Sequence, residues 1–371
     1  MEGEARTKVA LLTNIVAPYR VSVYEALAER LDLLVLYSGT ESNRTTWEGT
    51  LAGLSKCRVK RSWGLTIRRR LKRGPDVFDN RYLHLNPGFL TDLFRFRPAA
   101  VVSNEMGFRS AIALLYGWMA RKPVWIWWGG TVHTEQKVGR FKRSLRKLFA
   151  RRVKRWISYG ETSTEYLLSI GVKPERVLQI QNCVDERRFS CPSEPALAVL
   201  PKPVLLAVGH LVGLKGIDRL LEAAASVQRE HDFSLVFVGD GPGKQAYSDM
   251  VAKLGLRNVV FEKPRKPDDM PAIYRSADCL VFPTLDDVWG LVVNEAMWSG
   301  VPVLASIYAG CARELLPESN RFDPLNKESI EAAVRSAALG TVAKPDLSRL
   351  KTHGEVAGMI VDDILERLRA R

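Results

Sequence analysis

Between Val9 and Tyr37 the chain runs through an apolar stretch, a turn, a helical stretch and a second apolar stretch. Val9 to Asn14 reads as a buried strand, Ile15-Val16-Ala17-Pro18 as a tight turn, Tyr19 to about Arg30 as a helix, and Leu31 to Tyr37 as a second strand. A strand, helix and strand within about 30 residues form a βαβ unit, which commits the fold to a parallel sheet. The pattern recurs in Ala99–Ser103, the helix Phe108–Ala120 and Val124–Trp128. It recurs again in VLLAVGHLVGLKGIDRLLEAA and in FSLVFVGDGPGKQAYSDMVAKLGL, which Val259–Glu262 follows. At 371 residues the chain is long for one core and suits two domains. The Pro-rich run CPSEPALAVLPKP reads as the linker between them, giving domains 1–190 and 198–354 and a last helical segment at about 355–371.

Composition removes several function classes. No apolar run approaches the roughly 20 residues that span a bilayer, and the N-terminus carries acids ahead of its first apolar strand, unlike a secretory signal. A cytoplasmic protein is expected. Its five cysteines form no Cys-x-x-Cys pair and read as reduced thiols. The five histidines lack metal-ligand spacing, and there is no Asp-x-Asp triplet, so metal-independent chemistry without a cofactor is expected.

Of the +14 net charge, residues 1–195 hold 34 Lys and Arg against 18 Asp and Glu, so the basic excess lies in the first half. An anionic partner for that half follows. RSWGLTIRRRLKRGPD reads either as a solvated loop or as a segment resting on anionic lipid headgroups, where each basic residue contributes about 1 kcal/mol. Lys or Arg fills ten positions from Lys137 to Arg155, on a helix whose Phe141, Leu145, Leu148, Phe149, Val153, Trp156 and Ile157 form a mostly core-facing stripe. The helix is expected to end before Val153, with VKRWISY forming a strand. No nucleic-acid module is recognisable, so nucleic acid is not an expected partner.

Three loops carry the chemistry. The first is TLDDVWGLVVNEAMWSG, where Gly290 breaks the span, Asp287 falls in the loop and Glu295 in the helix after it. One carboxylate, a flexible backbone and a helix N-terminus including Leu291 then face one pocket, which suits a nucleotide sugar. The second is the glycine-rich turn from Gly209 and His210 to Lys215, which aims backbone N–H groups and an ammonium at a diphosphate. The third is WWGGTVHTEQ, where Gly129 and Gly130 at a strand end allow close backbone approach and His133 follows. The first βα turn has no Gly-x-Gly-x-x-Gly, which argues against a dinucleotide enzyme. It carries Asn14, Pro18, Tyr19 and Arg20 instead.

An acid, seven residues, Glu-Ala-Met and then Gly-Val-Pro-Val resembles the paired-acid signature of retaining glycosyltransferases of family GT4, and residues of about 8–330 follow that family's motifs in order. The resemblance implies an α/β GT-B fold, two Rossmann-like domains with parallel sheets facing across a cleft, the first binding the acceptor and the second the donor. It implies that Glu295 holds the nucleotide ribose, Asp287 the donor sugar, and Lys215 with His210 the diphosphate. The base would sit by the loop Lys263–Pro267, which includes Arg265, and Gly209, Gly290 and Leu291 would line the donor. His133 matches a family histidine near the donor sugar. The first turn resembles an Asn-x-x-x-Pro-Tyr-Arg variant, which places Tyr19 and Arg20, with Gly129 and Gly130, at the acceptor side or cleft edge. Arg20 reads either as a contact to an anionic acceptor or the donor phosphate, or as a surface helix cap. The chain departs from the family in Asp287 for Glu, Trp289 for Phe, His210 for Arg and Cys183 for Gly. GDGPG resembles an edge of the donor cleft, and the last helix resembles one that crosses back onto the first domain.

The activity implied is retaining transfer of a hexose from a UDP- or GDP-sugar to a glycan or lipid-linked acceptor in cell-envelope or exopolysaccharide synthesis. The enzyme would be peripheral on the inner face of the membrane, which its first domain would touch. A sugar-nucleotide epimerase or phosphorylase on the same fold, or a non-enzymatic basic binder of membrane or nucleic acid, are the alternatives.

Overall fold

The computed structural model describes residues 6–39, 49–72, 78–136, 138–192, 194–197 and 200–370. These divide into two compact units, residues up to 184 together with those from 351 onward, and residues 185–350.

The first unit contains β1 (Lys8–Thr13), α1 (Pro18–Arg30), β2 (Asp32–Tyr37), β3 (Arg58–Arg61), β4 (Leu65–Lys72), β5 (Phe78–Leu85), α2 (Gly88–Phe96) and β6 (Ala100–Asn104). It continues with α3 (Phe108–Met119), β7 (Val124–Trp128), α4 (Arg140–Arg152), β8 (Arg155–Ser158), α5 (Glu161–Ser169) and β9 (Val177–Gln179). Seven of its strands form one parallel sheet in the order β3-β2-β1-β6-β7-β8-β9. Strands such as VALLT and VWIWW are buried along their length because helices cover both faces of such a sheet. Val23, Tyr24 and Leu27 of α1 pack against one face. Phe89 and Leu93 of α2, Tyr116 of α3, Phe149 of α4 and Leu167 of α5 pack against the other.

The second unit contains α6 (Glu186–Ser190), β10 (Val204–Val208), α7 (Ile217–Val227), β11 (Ser234–Val238), α8 (Lys244–Leu254), β12 (Val259–Glu262), α9 (Met270–Arg275) and β13 (Cys279–Phe282). After these come α10 (Leu291–Trp298), β14 (Val303–Ser306), α11 (Ala312–Leu315), β15 (Arg321–Phe322) and α12 (Lys327–Ala338). Its six strands are parallel in the order β12-β11-β10-β13-β14-β15. In both sheets the chain lays strands outward in one direction and then returns to the middle to build in the other. The crevice at that reversal, outside the strands' carboxyl ends, is where open α/β sheets bind ligands. It falls between β1 and β6 in the first unit and between β10 and β13 in the second.

The last helix, α13 (His353–Arg369), starts from a capping box in which Thr352 and Glu355 satisfy each other's backbone N–H. It lies in the first unit, where Val356, Ile360 and Ile364 join the core beside α1. Asp363 fixes it there, accepting from Trp125 Nε1 at 2.7 Å and from Arg155 Nε at 3.0 Å.

Two sequence expectations are corrected. The segment after β2 is not irregular throughout: Arg58–Arg61 extends the main sheet, and Leu65–Lys72 pairs antiparallel with Phe78–Leu85. The basic run therefore lies largely on a β-hairpin with Trp63 63% exposed at its base. Arg73 and the Gly-Pro-Asp after it fall outside the described residues, as does Lys137 of the second basic segment. The stripe on α4 is only half core. Phe149, Val153, Trp156 and Ile157 are buried, whereas Phe141 is 82% exposed and Leu148 is exposed beside it.

Candidate active site

The second unit's crevice opens where β10 and β13 end. A pocket there is lined by Gly209, His210, Leu211, Lys215, Phe282 and Pro283. The loop that leaves β10 can turn this tightly because Gly209 has φ +146° and Gly216 φ +64°, backbone that side-chain-bearing residues rarely adopt. A Cβ on Gly216 would lie 2.1 Å from the Pro283 carbonyl oxygen, so glycine also lets the two loops touch.

Lys215 reaches Asp287 across the pocket wall, with Nζ donating to Oδ2 at 2.6 Å. The other Asp287 oxygen accepts from the Trp289 backbone N–H at 3.1 Å, and the Asp287 backbone bridges to Ala309. Trp289 is buried, with its indole N–H donating to Asn294 at 2.8 Å, which ties the loop to the helix it feeds. Gly290 caps α10 at φ +100° without a side-chain hydrogen bond, leaving the backbone N–H of Leu291 available at a helix N-terminus. A cation, a carboxylate and a helix N-terminus thus meet at one crevice.

Glu295 stands one turn into α10, where its Oε2 accepts from the Tyr274 hydroxyl at 2.6 Å. Burial pushes the Glu295 carboxyl up to about 7, although the Tyr274 hydrogen bond and the Arg188 guanidinium both oppose the rise. The same burial, together with the neighbouring carboxylate, holds the Tyr274 phenol well above its usual range. Tyr274 is packed edge-on against Phe189 of α6. Arg188, on the same helix, pairs with Asp268 at 3.2 Å. Tyr274 and Arg188 escaped the sequence reading; α9 and α6 bring them to the acid from 21 and 107 positions away.

His210 is exposed, its Nδ1 3.4 Å from the Asp240 carbonyl oxygen. Arg265 is turned toward Glu262 of β12, at 2.7 Å. The GDGPG turn has a packing reason for its glycines, since a Cβ on Gly239 would lie 1.9 Å from the Gly209 carbonyl oxygen and one on Gly241 2.5 Å from that of Leu211.

The remaining candidates belong to the first unit. Gly129 and Gly130 are buried, and a Cβ on either would strike a ring, Tyr159 at 2.5 Å or Trp128 at 2.4 Å. Their sequence pattern therefore answers to aromatic packing. His133 is half-buried in the turn that follows, and its carbonyl accepts from Gln136 N–H at 3.2 Å. Arg20 is not the surface cap that was one of its two expected roles. It is 3% exposed, with its guanidinium 4.2 Å from the Trp127 ring centroid, 4.8 Å from Tyr159 and 5.5 Å from half-buried Tyr19.

With this geometry in hand, comparison with known proteins separates the parts of the chain. Residues 194–347, which hold Lys215, Asp287 and Glu295, match the family model Glycosyl transferases group 1. An uncharacterized glycosyltransferase of Methanocaldococcus jannaschii is 34% identical over 130 residues, 34% of this chain and 33% of that protein. A D-inositol 3-phosphate glycosyltransferase of Corynebacterium kroppenstedtii is 35% identical over 116 residues, 29% of this chain and 26% of that protein. The chain thus spans about a third or less of the curated relatives it matches. A crystal structure of Anabaena Alr3699/HepE in complex with UDP and glucose superimposes over 98% of both chains, with a TM-score of 0.66 and 16% identity. The fold is that of the GT-B glycosyltransferases.

Proposed function

We propose that the protein is a retaining glycosyltransferase that moves a hexose from a UDP- or GDP-sugar to a glycan or lipid-linked acceptor. The observation that carries this reading is the Lys215–Asp287 pair at 2.6 Å beside an uncapped α10 N-terminus, inside the segment that matches the transferase family. Donor binding replaces the pair's internal bond. Lys215 and the helix N–H groups take the diphosphate, and Asp287 takes hydroxyls of the sugar.

As the glycosidic bond to the diphosphate breaks, negative charge builds on the leaving oxygen. Lys215 stabilises that charge by hydrogen bonding and field, a kind of contribution that is usually the largest in enzymes. No metal is needed in this scheme, because an ammonium and helix N-termini supply the positive charge. Glu295, held by Tyr274, accepts from the ribose hydroxyls. The acceptor hydroxyl oxygen bonds the anomeric carbon on the face the diphosphate leaves, and its proton passes to the leaving phosphate oxygen, so the anomeric configuration is retained; the first unit binds the acceptor.

The test is transfer from UDP- and GDP-sugars to candidate acceptors with and without EDTA. Donor binding and EDTA-resistant transfer are expected; loss of activity in EDTA that added metal restores would overturn metal independence. Glu295→Ala is expected to weaken nucleotide binding, and an unchanged Kd would refute its role.

We also propose that the first unit rests on an anionic membrane surface at the inner face of the cell membrane. Support comes from Trp118 (78% exposed) and Phe141, both on helices of one face of the sheet, with the basic side chains of α4 around Phe141. No helix among the described residues is long and apolar enough to cross a membrane. Sedimentation with anionic but not neutral vesicles at low salt is expected, and equal binding to both would refute it.

A further inference from the structure

Arg20 is a buried cation whose nearest acid, the buried Glu105 carboxyl, acts on it without a close ion pair. Both of its terminal nitrogens are shut off from solvent and lack a hydrogen-bond partner, and no carboxylate pairs with it among the described residues. The groups in contact with it are Trp127, Tyr19, Tyr24, Tyr159 and the Cys183 thiol, with the Glu105 carboxyl acting at longer range. Cation–π contact stabilises the charge but gives the two terminal nitrogens no acceptor, and a buried donor left unsatisfied costs about 1–3 kcal/mol, more when charged.

The place is as informative as the imbalance. Arg20 sits in the first turn of α1 at the β1–β6 crevice of the first unit, the counterpart of the position that holds Lys215 in the second. Arg109 crosses the same crevice from α3, donating to the Asn104 carbonyl and to the Asn14 side chain. Glu105, which follows β6, adopts φ +66° without being glycine, and burial raises its carboxyl despite Arg109 and Arg146 nearby. The Asn104 side-chain oxygen is likewise buried and unpartnered. Strain, unpaired polar atoms and two arginines at a sheet's switch point are costs a fold tolerates where it binds something.

We propose that Arg20 is the centre of an oxyanion subsite in the first unit, which takes a phosphate or carboxylate group of the acceptor. The proposal rests on the transferase reading for the word acceptor, but not for the anion. A guanidinium fork with both terminal nitrogens free matches the two oxygens of either group. The rings of Trp127 and Tyr159 hold the guanidinium from two sides before the ligand arrives. Tyr19 and Tyr159 are the half-buried members of the cluster, so entry is from their side, with the Tyr19 ring turning aside.

The experiment uses the full chain with UDP at saturation, so that the second unit's crevice is filled, and titrates inorganic phosphate or acetate calorimetrically. Wild type is expected to bind one of the two, which also distinguishes a phosphate site from a carboxylate site. Arg20→Met is expected to lose that affinity by about tenfold or more, while UDP binding stays unchanged. Arg20→Lys keeps the charge but not the fork, and should bind less tightly than wild type and more tightly than the Met variant. Response to neither anion in wild type, or the same affinity in Arg20→Met, would each overturn the proposal. Failure of UDP to bind wild type would instead strike the transferase reading and leave the anion titration to be judged alone.

Discussion

Tyr274→Phe removes one oxygen from the second unit and so isolates what that oxygen does for Glu295. The hydroxyl donates to the carboxylate at 2.6 Å and stabilises its charged form. Hydrogen bonds to charged groups are worth about 1.5–3 kcal/mol, or roughly one to two pH units of acidity. Starting from about 7, the Glu295 carboxyl of the variant should titrate near pH 8 to 9. At pH 7 roughly half of the wild-type carboxyls are ionised, against about one in ten to one in a hundred in the variant. Ribose hydroxyls donate to the ionised form, so nucleotide affinity at pH 7 should fall by about five- to fiftyfold and recover most of that loss by pH 9. UDP and GDP titrations by calorimetry from pH 6 to 9.5 measure this directly, with Glu295→Gln as the control whose profile is flat. Superimposable pH profiles for wild type and Tyr274→Phe would refute the reasoning, whatever the absolute affinities.

Glu295→Gln carries a stability prediction of its own. The folded-state pKa of Glu295 is raised above the unfolded value of 4.5, so wild-type stability falls as pH rises from about 5 through 7. The variant should be more stable than wild type at pH 8, by about 2–3 kcal/mol, and equal to it near pH 4 in urea unfolding. Lys215→Met should retain measurable nucleotide binding while lowering kcat by about a hundredfold or more, read by single-turnover transfer. Gly216→Ala puts a methyl 2.1 Å from the Pro283 carbonyl oxygen on left-handed backbone, and a loss of about 2 kcal/mol or more in unfolding free energy is expected. Asp363→Ala strands Arg155 and the Trp125 indole N–H in the first unit, and should cost about 3–5 kcal/mol by the same measurement.

Much of the fold was written in periodicity. Buried parallel strands are continuous apolar runs, and Val9–Asn14 and Val124–Trp128 could be read nearly to the residue against the observed Lys8–Thr13 and Val124–Trp128. Leu65–Lys72 was harder because arginine fills consecutive positions and hides the alternation of Leu65 and Ile67, both exposed. The α4 stripe misled for a different reason: a helical spacing reports a shared face, not what covers that face, and Phe141 faces solvent. Within the candidate site, Lys215 and Asp287 were legible because glycine-rich loops announce themselves. Tyr274 carried no such mark, for an ordinary tyrosine in a short helix gains its role only from the acid that folding sets opposite. Arg20 shows the same limit, since the rings at Trp127 and Tyr159 arrive from β7 and from the bend after β8, more than a hundred residues away. The glycine pair at 129–130 has a second reason for being glycine that the pattern did not show, two aromatic neighbours a Cβ would strike.

The bond between Lys215 and Asp287 also bears on how such a site lets go. In the proposed reaction both partners are occupied only while nucleotide and sugar are present together. Once the sugar has moved to its acceptor, Asp287 loses its hydroxyls and Lys215 is again the nearest cation, at 2.6 Å in the resting protein. The spent nucleotide must then compete with an internal carboxylate for the ammonium that held its phosphates. The pocket resets itself, and the intact donor displaces the latch more readily than the product can hold it open.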